Sequence, residues 1–362
     1  MRSRVIWAMF SCLFCLGWLV PLRPAHAQTC VTAKAARSFL QLWQAHAQYS
    51  PAQWDTLFAR LDQHGFNEII VQWSSYGTVS FLRGIRPSQE TAECLPGLIA
   101  AARRAKCKLW LGLHFDPEFW QRIDKESEIA AYLDDRLRFF ELSLPLLLSL
   151  VQTTDPSGDT VAGWYIADEI DDRNWQNPQR QILLLNYLAG MSSRLHTSTP
   201  RLSILISGFV NGAMTPDNWS ALVKRILTET SVQVFLLQDA IGTGKMTVAR
   251  LRPYLQALQQ SVPEPASRFS IIVEIFSMRI EAGDSTQAGP FERIREQLEL
   301  AAAFSGPPLL VFSAPDHLLD TKRPGVATLS KQWLDERSGC LGTDPLSRSL
   351  SQGSLLLLEN KP

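Results

Sequence analysis

The feature that most constrains the fold is a regular alternation of strand-like and helical segments between residues 37 and 336. Eight short runs rich in apolar residues predict strands, and an amphipathic stretch typical of a helix follows each of them. Such alternation produces parallel βαβ units, and eight units are typical of a single (β/α)8 TIM barrel. The predicted strands are Arg37–Trp43, Asn67–Ser74, Lys108–Phe115, Val161–Ala167, Arg201–Phe209, Val232–Gln238, Arg268–Phe276 and Pro308–Ser313.

Several predicted helices begin with a proline after a capping residue, as in Ser50-Pro51 and Thr215-Pro216. An open doubly wound sheet is the alternative α/β architecture, but it usually has fewer strands, and no glycine-rich dinucleotide fingerprint follows the first strand. We therefore predict one barrel domain over residues 28–340 and a Ser-rich, largely disordered tail over residues 341–362. The predicted helices lie near Pro51–His64, Leu95–Ala105, Glu126–Leu150, Pro178–Leu195, Pro216–Glu229, Thr247–Gln260, Phe291–Phe304 and Ala327–Glu336.

Residues 1–27 have the pattern of a secretory signal peptide. Arg2 and Arg4 precede an apolar run from Val5 to Val20, and Ala25-His26-Ala27 fits the small-x-small cleavage motif. The apolar run of about 16 residues is shorter than the roughly 20 that span a bilayer, which favours a cleaved signal over a membrane anchor. We expect a bacterial protein that is soluble in the periplasm or outside the cell, with no stable membrane insertion after cleavage.

Composition and charge exclude some classes of partner. The 362 residues contain 35 Lys+Arg and 35 Asp+Glu, so the chain has no basic field, and this argues against a nucleic acid partner. The six histidines show no close ligand spacing and there is no paired CxxC motif, so we expect neither a metal nor another cofactor. The sequence does not indicate an oligomeric state.

Four cysteines lie beyond the signal peptide, which permits disulfides in an exported chain. Cys94 and Cys107 flank a predicted helix that holds them roughly 15–20 Å apart, too far for the Cα separation of about 7 Å that a bridge allows. Cys30 lies just before the first strand and Cys340 just after the last helix. Since these two ends are neighbours in a closed barrel, we prefer a Cys30–Cys340 disulfide.

Polar side chains are predicted to converge at the mouth of the barrel. Alternate residues of a barrel strand face the interior and the outer helices, and chemistry collects at the carboxyl ends of the strands. One set in the third strand, for example, is wholly apolar (Leu109, Leu111 and Leu113). The opposite sets of the second, third, fourth and seventh strands carry polar residues at or near the strand ends, namely Gln72, His114, Glu169 and Glu274.

Glu169 and Glu274 form a pair that suits glycoside hydrolysis, which usually needs a proton donor and a second carboxylate as nucleophile or base. Glu274 interrupts an apolar strand, where a charge is almost never buried without a partner or a task. A structural ion pair is the alternative for Glu274. Glu169 lies in an acidic segment, residues 167–172, where helix capping is also plausible.

Three segments of the chain resemble a bacterial family of glycosidase-like TIM-barrel domains without assigned function. They are Gly-Trp-Tyr-Ile-Ala-Asp-Glu-Ile-Asp-Asp (163–172), Ile-Ile-Val-Gln-Trp (69–73) and Gln-Asp-Ala-Ile-Gly-Thr-Gly-Lys (238–245). More distantly, the chain is similar to the clan A glycoside hydrolases. In that clan the acid/base glutamate ends strand four, normally after an asparagine, and the nucleophile ends strand seven.

This resemblance implies a sugar-active barrel in which Glu169 is the general acid/base and Glu274 the nucleophile, with retention of configuration. Asp168 stands where the clan has asparagine, the residue that contacts the sugar, and it is a candidate for substrate binding. A second negative charge beside Glu169 is expected to raise the pKa of that acid.

Other candidates for substrate binding follow neighbouring strands. Gln238 and Asp239 end the sixth strand, where they could bind sugar hydroxyls or only cap the next turn. His114 and Asp116 follow the third strand, where a role in orienting substrate and a purely structural role are both open. Gln72 completes this set at the end of the second strand.

Tryptophan is abundant, with 11 residues in the full chain. Indole rings stack on the apolar faces of sugars, and their N–H groups donate hydrogen bonds. The alternation assigns Trp73 and Trp164 to the helix-facing core. Trp43, Trp120 and Trp175 are the better candidates for the cleft.

The leading hypothesis is an exported glycoside hydrolase acting on a polysaccharide or oligosaccharide. The main alternative is a non-catalytic carbohydrate-binding barrel that serves exopolysaccharide synthesis or export. A third possibility is a barrel enzyme of different chemistry, such as a lyase, that uses the same acidic mouth.

Overall fold

The structure is a computed structural model that describes residues 30–84, 90–279 and 285–341. Its central element is a closed barrel in which each strand pairs in parallel with its neighbours in sequence, and the last strand pairs with the first. The predicted single (β/α)8 barrel is therefore confirmed. The strands are β1 (Ala35–Leu40), β2 (Glu68–Val71), β3 (Lys108–Gly112), β4 (Val161–Asp171), β5 (Ser203–Phe209), β6 (Val234–Gln238), β7 (Phe269–Glu274) and β8 (Leu309–Phe312).

Eight long helices surround the barrel, and their starts follow the capping signals in the sequence. Ser50 accepts a hydrogen bond from the backbone N–H of Gln53, and Thr215 accepts one from Asn218, so each satisfies a donor that the helix leaves unpaired. The helices are α1 (Pro51–Gln63), α2 (Leu95–Arg104), α3 (Ile129–Thr154), α4 (Pro178–Ser198), α5 (Pro216–Glu229), α6 (Val248–Ser261), α7 (Phe291–Phe304) and α8 (Val326–Leu341).

The first three strands end about three residues earlier than the sequence predicts, because the chain beyond them builds structure over the barrel mouth. After β1 the chain enters a 3-10 helix at Gln44–Gln48. After β2 and β3 it contributes to a small four-stranded sheet, made of Ser75–Tyr76, Val79–Ser80, Glu90–Thr91 and His114–Phe115. In the opposite direction, β4 continues to Asp171, past the predicted end at Ala167.

Side chains from all eight strands fill the barrel interior, so the barrel is a packed core rather than a pore. Ile70, Trp110, Tyr165 and Ile272 belong to this interior cluster, as the alternation in the sequence predicts. Trp73 and Trp164 pack on the helix side at 2% and 0% exposure, also as predicted. The interior cluster consists of Phe39, Ile70, Trp110, Tyr165, Ala167, Leu205, Leu236, Ile272 and Leu310.

The predicted Cys30–Cys340 disulfide is confirmed, with the two Cα atoms 5.6 Å apart. Cys94 and Cys107 are buried free thiols, and burial raises the pKa of each to about 12, which keeps them as unreactive thiols. The predicted signal peptide (1–27) lies outside the described residues, as does nearly all of the predicted tail. Among the helices that the structure describes, none combines the length and apolar character needed to cross a bilayer.

Candidate active site

A cavity of about 870 Å³ opens at the carboxyl ends of the strands, chiefly over β4 to β7. A smaller cavity of about 120 Å³ reaches into the barrel interior beside Phe39 and Tyr165. Glu169 and Glu274 line both cavities. The two carboxylates that the sequence singled out are therefore brought to one place. The larger cavity is lined by Trp120, Gln121, Asp124, Glu169, Asp171, Arg173, Asn174, Phe209, Asn211, Gln238, Ala240, Thr243, Lys245 and Glu274.

A bulge in β4 places Glu169 at this mouth. Ile166 pairs with Ile206, and Ile170 pairs with Gly208. Between these two pairs β4 advances by four residues while β5 advances by two, so β4 contains extra residues that have no partner in β5. The extra residues bend the strand, as bulges beside active sites commonly do. Gly208 permits the close approach, since a Cβ atom there would lie 2.4 Å from the carbonyl oxygen of Ile170.

The environment of Glu169 favours its protonated form more than water does. Burial raises its pKa to about 6, and the nearby carboxylates of Asp168 and Asp171 add to the shift. The effect of Asp168 is in the direction that the sequence predicted. Gln238 donates a 2.8 Å hydrogen bond to Oε1 of Glu169, and this bond and the charge of Lys245 act in the opposite direction. A carboxyl with such a pKa can hold a proton and release it near neutral pH.

Glu274 ends β7 at 4% exposure, beneath the loop that follows β6. Its Oε2 atom accepts a 2.9 Å hydrogen bond from the backbone N–H of Thr243. The loop comes this close because residue 242 is glycine: a Cβ atom on Gly242 would lie 2.7 Å from the Cβ atom of Glu274. The pKa of Glu274 is raised to about 8. Burial is the main cause of this shift, and the negative charge of Asp239 is the second cause.

Asp239 lies behind Glu274 rather than in the cavity. It is 1% exposed and accepts hydrogen bonds from the Gln297 amide at 2.5 Å and from the backbone N–H of Ile241 at 3.1 Å. Burial raises the pKa of Asp239 to about 6. The prediction that Asp239 contacts substrate is therefore corrected, because its carboxylate sets the charge around Glu274 instead.

Lys245 is a cation at the mouth that the sequence analysis did not select. It lines the larger cavity with both glutamates, and its charge lowers the pKa of each of them. Its Nζ atom lies 4.7 Å from the centroid of the Phe209 ring. The available signals in the sequence were its position in the loop after β6 and its place at the end of the segment 238–245.

Asp168 and Trp175, which were predicted to bind substrate, lie outside the cavity. Asp168 is 1% exposed, and its Oδ1 atom is 2.7 Å from Nη2 of Arg136. Its Oδ2 atom accepts a hydrogen bond from Tyr187 at 2.5 Å, so its carboxylate is committed to residues of α3 and α4. Trp175 is fully buried, and its ring offers no face to a ligand. Both predictions are corrected to structural roles.

The remaining candidates surround the glutamates at different depths. Gln238 and Trp120 line the larger cavity, where the Trp120 ring packs 5.5 Å from Phe209. Gln72 lines the smaller cavity. His114 lies in a separate cavity of about 570 Å³, where its Nδ1 atom is 2.8 Å from the Ser75 hydroxyl.

Trp43 lies apart from the glutamate cavity. It is 41% exposed and lines a further cavity of about 460 Å³ beside β1 and β8. Within the residues that the structure describes, no group of three or more His, Cys, Asp or Glu side chains is arranged to hold a metal ion.

Two further features were not foreseen. Tyr165 and Ser207 share a 2.7 Å hydrogen bond, and both line the smaller cavity together with Glu169. The Asp172 carboxylate accepts four backbone N–H groups of residues 211–214, at 2.7–3.2 Å, and so fixes the loop that carries Asn211 into the larger cavity. The repeated acidic residues after β4 were the available signal for this anchor.

The closed barrel of eight parallel strands defines the class of fold: a (β/α)8 TIM barrel. Solved structures have the same fold. A candidate alpha-L-fucosidase from Bacteroides thetaiotaomicron superposes with a TM-score of 0.64 at 15% identity, over 84% of this chain and 95% of that one. The intracellular xylanase TsXylA from Thermoanaerobacterium saccharolyticum superposes with a TM-score of 0.50 at 12% identity, over 83% of this chain and 97% of that one.

The chain belongs to the family described as domain of unknown function DUF4434, whose sequence profile matches residues 37–324. It is also similar to the uncharacterized protein YbcH of Escherichia coli (strain K12). The two are 32% identical over 238 residues, which is 65% of this chain and 75% of YbcH. The resemblance to a glycosidase-like barrel family of unassigned function is therefore confirmed.

Proposed function

We propose that this protein is an exported glycoside hydrolase that cleaves an oligosaccharide or polysaccharide with retention of configuration. The observation that carries the proposal is that Glu169 and Glu274 line one cavity at the mouth of a glycosidase-like barrel. Each occupies the strand end that matches a catalytic position of the distantly similar hydrolases. A carbohydrate is accordingly the proposed substrate.

In the first step, protonated Glu169 gives its proton to the glycosidic oxygen while the Glu274 carboxylate attacks the anomeric carbon. The bond to the leaving sugar breaks, and a covalent glycosyl ester forms on Glu274. In the second step, Glu169 removes a proton from water, whose oxygen attacks the same carbon and releases Glu274. Both glutamates are then restored.

This reaction requires the proton on Glu169 and not on Glu274. With pKa values of about 6 and about 8, the pair holds one proton in total between those pH values, and in the free protein that proton lies mainly on Glu274. The positive charge that develops on the sugar ring in the transition state attracts the Glu274 carboxylate and so favours the productive arrangement. Lys245 lowers the pKa of both glutamates, so its charge does not decide which of them holds the proton.

The proposal is tested with a glycan array followed by incubation of each bound glycan with the wild type and with Glu169→Gln and Glu274→Gln. Both variants should keep their fold and lose cleavage. Glu292→Gln is the matched control, since that side chain is 74% exposed on α7. Azide should restore turnover in Glu169→Ala with retention and in Glu274→Ala with inversion. Full activity in both Gln variants would refute the assignment.

The same geometry leaves one other function open, a carbohydrate-binding barrel that recognises sugar without cutting it, in the synthesis or export of an exopolysaccharide. The specific observation in its favour is the high pKa of Glu274, because a carboxyl with a pKa of about 8 is mostly protonated at neutral pH and is then a poor nucleophile. Glycan binding without any product on chromatography would favour this function.

Export is part of the proposal. The pattern of residues 1–27 supports it, and so does the Cys30–Cys340 disulfide, since disulfides persist in oxidising compartments. N-terminal sequencing of the protein from the periplasmic fraction should begin at Gln28. A mature protein that begins at Met1 in the cytoplasm would contradict export.

A further inference from the structure

The cavity beside β1 and β8, here called the rim cavity, has an exposed aromatic residue for which the catalytic proposal has no role. The rim cavity has a volume of about 460 Å³, and Trp43 on its wall is 41% exposed. Among the described residues only two other large hydrophobic side chains are exposed, Leu142 and Ile182, and both lie on outer helices. Trp43 is therefore an exposed aromatic ring at the mouth itself.

The chain around Trp43 holds its ring in place. Buried Trp73 donates an indole hydrogen bond of 2.8 Å to the carbonyl oxygen of Leu42, the residue before Trp43. The Trp43 ring meets Trp73 edge-to-face at 5.2 Å and Tyr76 at 5.5 Å. A ring that is fixed in this way loses little entropy when a ligand stacks on it.

The polar groups of the rim cavity suit a ligand rich in hydroxyls. Arg323 forms ion pairs with Asp316 at 2.8 Å and with Asp320 at 3.2 Å. Arg60 and Lys322 are the other Lys or Arg side chains of the lining, so three cations face the carboxylates of Asp316 and Asp320, and the formal charges nearly balance. Paired carboxylates and guanidinium groups beside an indole can hydrogen-bond and stack on a neutral sugar.

The rim cavity is connected to the glutamates through two glutamines. Gln41 lines the rim cavity and donates a 2.7 Å hydrogen bond to Gln72, which lines the smaller cavity with Glu169 and Glu274. The Trp120–Phe209 pair of rings lies on the other side of the glutamates, over β3 to β5. In the ring of eight strands, β8 and β1 face β4 and β5. Aromatic surfaces thus flank the glutamates on both sides.

We propose that the rim cavity is a distal sugar subsite, and that the ligand is a chain glycan that lies across the mouth from Trp120 to Trp43. This inference rests on the proposed function and specifies it: the substrate is bound on both sides of the scissile bond and is cut internally rather than from one end. Short oligosaccharides occupy the glutamate cavity without reaching Trp43.

The test uses a length series of oligosaccharides from the polymer that the array identifies. Trp43→Ala should raise KM about tenfold for the long members, leave their kcat unchanged, and leave the short members unaffected. Trp43→Phe should restore most of the affinity, and Ile182→Ala, an exposed residue on an outer helix, should change nothing. Early products of the wild type should be mixed internal fragments.

Binding to Glu274→Gln separates this inference from the proposed hydrolysis. A loss of affinity for long glycans in Glu274→Gln/Trp43→Ala supports the subsite even if no variant cleaves them. Cleavage with equal length dependence in the wild type and Trp43→Ala overturns the subsite alone, as does release of one small product from the chain end. Absence of binding by any glycan overturns both.

Discussion

Replacing Glu274 with glutamine should abolish cleavage and, at alkaline pH, make the protein more stable. The wild-type carboxyl has a pKa of about 8 in the folded protein against 4.5 in the unfolded chain, mainly because burial disfavours its charged form. Between these pH values the unfolded chain has released the proton and the folded protein retains it. The free energy of unfolding therefore falls as pH rises from 4.5 to 8.

The magnitude follows from the size of this pKa shift. Each pH unit within the window costs about 1.4 kcal/mol of unfolding free energy. The contribution of Glu274 is fully present below pH 4.5, is reduced by about 3 kcal/mol at pH 7, and is reduced by about 5 kcal/mol above pH 8. Glutamine has the shape of the neutral acid, carries no titrating proton and can still accept the N–H of Thr243. The variant should match the wild type at pH 4.5 and exceed its stability above it.

The assay is urea unfolding of the wild type and variants, followed by tryptophan fluorescence from pH 4.5 to 9. Glu169→Gln is the internal comparison: its smaller shift, from 4.5 to about 6, predicts a gain of about 2 kcal/mol that is complete just above pH 6. Exposed Glu292→Gln should follow the wild type at every pH. Parallel curves for Glu274→Gln and the wild type would refute the argument that burial holds a proton on this carboxyl.

Three other measurements follow from the structure. Cys30→Ser should lower the free energy of unfolding by about 5 kcal/mol, because Cys30 and Cys340 close a loop with a sequence separation of 310, and reductant should destabilise the wild type but not the variant. Arg136→Met should cost about 3–5 kcal/mol in urea unfolding by leaving Asp168 buried without its cation, and wild-type stability in this variant would contradict that pairing. The plot of kcat/KM against pH should be bell-shaped, with one inflection near pH 6 and the other near pH 8, because the active form carries one proton shared between the two catalytic glutamates. A flat profile over that range would contradict the proposed acid and nucleophile.

The barrel was predictable because its signals are local and repeat along the chain. Hydrophobic alternation predicted the eight strands, and a proline after a capping residue predicted where α1 and α5 begin. Closure of the barrel, which brings the two chain ends together, predicted the Cys30–Cys340 disulfide. The strand ends over the mouth were not predictable in the same way. The chain beyond β2 and β3 keeps a strand-like composition but pairs with other loop segments instead of the barrel, and the chain beyond β1 enters a 3-10 helix.

Individual site residues were harder to predict than the site itself. Strand alternation brought Glu169, Gln72 and Glu274 to the mouth, because interior parity is a property of the sequence. It could not reveal that Asp239 turns behind Glu274, since that depends on Gln297, which is 58 positions away on α7. Lys245 lies in a loop without periodicity, and only the folded structure places it beside the glutamates.

The acidic segment after β4 shows how one run of carboxylates is divided between scaffold and chemistry. Asp168 is held by Arg136 on the helix side, and Asp172 is held by four backbone N–H groups of the next loop. Because the carboxylates of Asp168 and Asp172 are held on either side of Glu169, the bulge has little freedom to present Glu169 in any other direction. The negative charges of Asp168, which belongs to this scaffold, and of Asp171, which lines the cavity, also help to raise the pKa of Glu169. A substitution that frees Asp168 should therefore alter both the position and the proton affinity of the acid, although Asp168 does not line the cavity.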